Sequence, residues 1–138
     1  MNFPSATEEI SLAGDCYATG LGTAAVFHSM RALEKPFHAL AAAIPLTLSK
    51  EIEVLTWGAI YKSIHEKIAA LRNAPHTQAR DEEIAFYAQA NKEFGYFQYT
   101  WRDFVAHARK SYDPKQALSV VEHVIEFIDL LSQKGLKE

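Results

Sequence analysis

Cysteine is almost missing from this chain. Cys16 is the only one in 138 residues, which excludes an internal disulfide and fits a reducing compartment, the cytoplasm. Long apolar runs are missing too. The longest, residues 40–46, contains Pro45 and falls far short of the roughly 20 residues that span a bilayer. No membrane association is expected, and no basic segment leads into an apolar run near Met1 as a signal peptide requires. Metal-binding spacings are lacking: none of the six histidines has a glutamate three residues before it, so the Glu-x-x-His pairs of di-iron bundles are absent. No Cys/His cluster suits zinc, and Gly20-Leu21-Gly22 lacks the strand that a phosphate-cradling loop follows. The expectation is therefore no metal and no cofactor. Positive charge is also short, the net being −3, which argues against a broad basic face gripping a long duplex.

What is present is a globular balance, 49% hydrophobic and 22% charged, in a length suited to one domain over residues 1–138. The apolar spacing is helical throughout. Ser5-Ala6-Thr7-Glu8 reads as a capping box opening a first helix, which Gly20 and Gly22 end. Val26, Met30, Leu33, Phe37, Leu40 and Ile44 draw a stripe in steps of three and four, with a kink expected at Pro36. Residues 46–55 read as irregular. Trp57, Ile60, Tyr61, Ile64, Ile68 and Leu71 define a third helix. A fourth opens at Asp81-Glu82-Glu83 and runs through Tyr87, Phe94, Phe97, Trp101 and Phe104. Asp113-Pro114 is an N-cap with proline at the first helical position, launching a fifth helix with Leu118, Val121, Val124, Ile125, Ile128 and Leu131 that Gly135 ends. No window alternates like a strand. The fold class is all-α, an up-and-down bundle of four to five helices.

The chemistry concentrates in Trp101-Arg102-Asp103-Phe104-Val105-Ala106-His107, continued by Ala108-Arg109-Lys110-Ser111-Tyr112-Asp113-Pro114. Arginine offers a fixed cation that grips phosphate, and imidazole moves a proton near neutral pH. Four basic residues between Trp101 and Lys115 (Arg102, Arg109, Lys110 and Lys115) face two acidic ones, so the segment is locally positive. It can hold a few phosphates.

An arginine followed by a polar residue and, after a gap of four, a histidine resembles the motif of the HEPN superfamily of small helical domains. The segment from Thr23 to Glu34 resembles the second helix of bacterial HEPN-like proteins. Trp57-Gly58, Phe86-Tyr87 and Tyr112 fit the same group, so the likeness covers nearly the whole chain. The resemblance implies a homodimer that brings two Arg-His motifs together, and in active members a metal-independent endoribonuclease. His107 would then be the general base or acid and Arg102 the phosphate-holding cation, with single-stranded RNA or a nucleotide as ligand. Asp103 would orient one of them. A nucleotidyltransferase-type antitoxin is the kind of protein partner implied.

Two readings of the pair stand side by side. On an unbroken helix Arg102 and His107 lie about 140° apart and roughly 7.5 Å along the axis, so one site needs a bend or a long reach. Many HEPN relatives have Asn-Pro after the arginine, which restarts the helix; here Asp103-Phe104 stands instead. The second reading is a non-catalytic interaction or dimerisation module, in which Arg102 is tied into an ion pair and His107 is half-buried. Supporting candidates are Arg31 and Glu34, which either face the motif or form a surface ion pair. Tyr112 either lines the site or packs the turn, and Arg109 either extends a phosphate track or is solvated. His28 reads as packed rather than catalytic.

Overall fold

Steps of three and four residues bury one face of each helix against its neighbours, and the computed structural model, which describes residues 2–44, 54–106 and 111–138, is an all-α helical bundle. Its elements are α1 (Pro4–Ala18), α2 (Gly22–Ala32), α3 (Glu34–Ala43), α4 (Val54–Arg72), α5 (Gln78–Ala106) and α6 (Pro114–Gln133). Among the described residues no helix is long and apolar enough to cross a membrane. Residues 46–53 of the stretch expected to be irregular lie outside the described residues, and its last two, Val54 and Leu55, are instead the start of α4.

The second predicted helix is present as two segments. All six residues of its stripe, Val26 through Ile44, are buried. The interruption falls at Leu33 rather than at Pro36. Pro36 has no N–H for the carbonyl of Ala32, and its ring crowds that carbonyl, so the ladder gives way one turn earlier. Leu33 N–H turns to Met30 O at 3.2 Å, and Phe37 N–H resumes on Leu33 O at 2.9 Å.

The ends of the helices show how local chemistry sets the elements. The side chain of Asp113 accepts from Gln116 N–H at 2.8 Å, while the Gln116 side chain accepts from Asp113 N–H at 3.2 Å, a complete capping box. Gly20 at φ 78° and Gly135 at φ 85° close α1 and α6. In each case two backward hydrogen bonds follow: Leu21 to Cys16 and Gly20 to Tyr17, then Leu136 to Leu131 and Gly135 to Ser132.

The capping box expected at Ser5 does not form. α1 begins at Pro4 with Phe3 at its N-cap and no side-chain cap of its own. Its first free amide is served from the far end of the chain instead: the Glu138 carboxylate accepts from Ser5 N–H at 3.3 Å and from Ser5 Oγ at 2.9 Å. Helix α5 opens three residues before the acidic run, because Thr77 Oγ1 accepts from Arg80 N–H at 3.1 Å. Asp81 sits in its first turn, where the helix dipole favours negative charge.

The core centres on Phe37. Its ring lies 4.8 Å from Trp57, 5.0 Å from Phe94, 5.7 Å from Phe127 and 6.2 Å from Phe97, at tilted or edge-on angles that suit aromatic quadrupoles. α1 packs on α2, α2 on α6, α4 on α5, and α5 on α6. On α6 the buried residues are Ala117, Val120, Val121, Val124, Phe127 and Leu131, so Val121, Val124 and Leu131 of the predicted stripe are buried while Leu118, Ile125 and Ile128 lie toward its edge. Ile125 is 38% exposed and with Ile128, Phe3 and Ile10 borders a groove of about 550 Å³ between α1 and α6. The apolar arc of α6 is wide enough that periodicity alone does not place its centre.

Candidate functional site

Residues at i, i+3, i+4 and i+7 share a helix face. Tyr96, Tyr99, Thr100 and Asp103 form such a face at the C-terminal end of α5. Lys115, Gln116, Ser119 and Val120 form another at the start of α6. The two faces, with Tyr112 from the segment before α6, border an open cleft of about 390 Å³.

The segment carrying Tyr112 is pinned at both sides. Tyr112 N–H donates to Thr23 Oγ1 at 3.1 Å, and Gly22 lies so near that a Cβ there would stand 2.5 Å from the Tyr112 carbonyl oxygen. The Tyr112 ring continues an aromatic row, 6.1 Å from Phe104, which in turn lies 5.9 Å from Trp101, both pairs nearly parallel. Its hydroxyl donates to Asp103 Oδ2 at 3.3 Å and to the Thr100 carbonyl at 3.5 Å. Burial and the neighbouring Asp103 carboxylate push the Tyr112 hydroxyl up to about 12, so it stays a proton donor at any physiological pH. The Tyr96 and Ser119 hydroxyls share a hydrogen bond of 3.2 Å across the same cleft. Tyr99 stands at the rim, 72% exposed.

The sequence candidates separate. Helix α5 runs unbroken through Arg102 and Asp103 to Ala106, so Asp103 does not cap a restarted turn; its carboxylate takes the Tyr112 hydroxyl. Asp103 and Tyr112 are brought together. Arg102, one residue before Asp103 and about 100° round the helix, is exposed and makes no hydrogen bond or ion pair with any described residue. His107 and Arg109 lie outside the described residues.

Arg31 does not pair with Glu34. Its Nε is 3.0 Å from Glu9 Oε1 on α1, its guanidinium lies 5.8 Å from the Phe27 ring, and Glu9 Oε2 also takes His28 Nδ1 at 2.7 Å. His28 is thus a packed, satisfied histidine. Glu34 is exposed in the first turn of α3.

Two features escaped sequence reasoning. The exposed ring of Tyr99 beside Lys115 was legible only as two unremarkable surface residues. Glu93 and His123, thirty positions apart, meet at 2.6 Å between α5 and α6. Spacing arguments within one helix carry no signal for such a pair.

Chemically, the described residues of the cleft offer an aromatic face, a cation at Lys115, and a fixed set of hydroxyl and carboxylate groups. Aromatic faces accept stacked bases irrespective of sequence, and lysine serves as a point charge for phosphate. No match to the chain is found among protein-family models, curated proteins or solved structures.

Proposed function

We propose that this chain is a HEPN-like RNA-binding protein of the cytoplasm and a metal-independent endoribonuclease, acting as a homodimer through Arg102 and His107. The observation that carries the reading is Arg102. A cation exposed at the end of α5 without a partner among the described residues is free to take a phosphate, whereas the interaction-module reading requires it in an ion pair. The adjoining cleft supports it with the stacking surface of Tyr99 and the charge of Lys115.

In this reading His107 takes the proton of a ribose 2′-hydroxyl, whose oxygen attacks the adjacent phosphorus. The P–O bond to the leaving 5′-oxygen breaks, that oxygen receives a proton, and a 2′,3′-cyclic phosphate forms. Arg102 holds the phosphate and balances the charge that grows on its oxygens. Asp103 and Tyr112 shape the neighbouring wall. The 2′-hydroxyl requirement makes RNA, not DNA, the substrate.

The test is cleavage of a mixed-sequence single-stranded RNA in EDTA by the wild type, Arg102→Ala and His107→Ala. Cleavage that survives the chelator and vanishes in both variants is the expected result. No cleavage by the wild type, with both variants impaired in dimerisation, would overturn it and direct attention to a protein partner such as a nucleotidyltransferase-type antitoxin.

A further inference from the structure

Glu93 is a carboxylate with a side chain only 5% exposed, which is costly unless its charge is met. Its Oε2 accepts from His123 Nδ1 at 2.6 Å and its Oε1 from Gln89 Nε2 at 3.2 Å. A third group, the exposed carboxylate of Glu126, sits one turn beyond His123 on α6. One ligand atom from each of Glu93, His123 and Glu126 lies within 4.8 Å of the others. We infer that these three side chains form a binding site for a divalent transition-metal ion that ties α5 to α6.

Three observations carry this beyond a grouping of acids. First, the donors are mixed, one imidazole and two carboxylates, the set that suits a borderline ion such as zinc. Second, the imidazole is already oriented. The Tyr96 ring stacks on His123 with centroids 3.9 Å apart and planes 23° from parallel, and Gln89 holds the buried carboxylate from its other side. Third, the adjoining cleft of about 330 Å³ is bordered by Glu93, Glu126 and Asp129 with no lysine or arginine among its described lining residues. Lys134, the cation at the end of the same helix, is drawn to Glu83 at 3.4 Å.

The geometry is within reach. In a tetrahedral zinc site with bonds near 2.0–2.1 Å, neighbouring ligand atoms stand about 3.3 Å apart. The Glu93–His123 pair has to open by roughly 0.7 Å, and Glu126, exposed on α6, has to swing inward. The ion takes the place of the proton between Nδ1 and Oε2, and that proton moves to Nε2 of the neutral imidazole. Three protein ligands leave a fourth position for water. The ion would cross-link two helices and stiffen Tyr96, which also walls the tyrosine cleft. This inference does not rest on ribonuclease activity.

The experiment is calorimetric titration of the EDTA-stripped, dialysed full chain with zinc chloride alone, beside thermal unfolding with and without zinc. Wild type, Glu126→Gln and His123→Gln are compared. The expected result is one zinc per chain with a dissociation constant in the micromolar range or below, and a raised Tm. Glu126 makes no bond with described residues in the free protein, so Glu126→Gln should leave the metal-free Tm unchanged and weaken zinc by about tenfold or more. No zinc binding by the wild type, or binding that Glu126→Gln leaves unaltered, overturns the site and leaves Glu93–His123 as a simple hydrogen-bonded pair.

Discussion

The Tyr112 hydroxyl donates to Asp103 Oδ2 at 3.3 Å, joining the end of α5 to the segment that launches α6. This bond occupies the polar residue next to Arg102, while the arginine itself is not among the residues that line the cleft.

The bond has a signature in pH. Tyr112 has its ordinary value of 10.0 raised to about 12, first by burial and then by Asp103. Below pH 10 folded and unfolded chains both keep the proton. Between about 10 and 12 the unfolded chain releases it while the folded chain retains it, so folding stability should fall as pH rises through that window. Ultraviolet titration of the tyrosines should show one phenol ionising near the top of the range. Asp103→Asn should lower that phenol part of the way, burial remaining, and Tyr112→Phe should remove it. An identical titration curve in Asp103→Asn would break the assignment.

Gly22 should behave oppositely to other helical glycines. At Gly14 and Gly58 a Cβ meets nothing within 4 Å, so alanine there should stabilise by up to about 1 kcal/mol through helix propensity. At Gly22 the Cβ would stand 2.5 Å from a backbone oxygen, which cannot swing aside as a side chain can. Gly22→Ala should cost about 1–3 kcal/mol in urea unfolding and displace the Tyr112 segment. A stabilised Gly22→Ala would show that the segment is not held against α2.

Arg102→Ala should leave stability within about 0.5 kcal/mol of wild type, since the side chain is exposed and unbonded to described residues. Chemical denaturation checks this, and it lets any lost RNA binding be ascribed to the cation itself. A large destabilisation would instead favour the interaction-module reading.

Phe37→Ala should be severe. The ring is 3% exposed and touches four other aromatic rings, so its removal should cost about 3–5 kcal/mol. The denaturant midpoint should drop accordingly. A loss below about 1 kcal/mol would mean that the core repacks around the gap.

Much of the fold was legible because it is local. The Asp113–Gln116 capping box, the left-handed Gly20 and Gly135, and the buried line from Val26 to Ile44 depend on groups within about one helical turn of each other, and spacing reports such groups directly. The misplaced capping box at Ser5 shows the limit of that logic. Its local signal was sound, but the Glu138 carboxylate, held 133 positions away in sequence, took the Ser5 amide. Thr77 was readable as a cap and was masked by the stronger acidic run that follows it.

The sequence by itself determined the all-helical class, the closure of α1 and α6 by glycine, the start of α6 and the burial of the second stripe, since periodicity and capping act over three or four residues. Only the tertiary structure decided that Asp103 takes Tyr112, that Arg31 turns to Glu9, and that Glu93 meets His123. These are pairings between helices, selected by which faces pack and at what register. No spacing along one helix encodes them, because each partner gains its meaning from a surface supplied by distant chain.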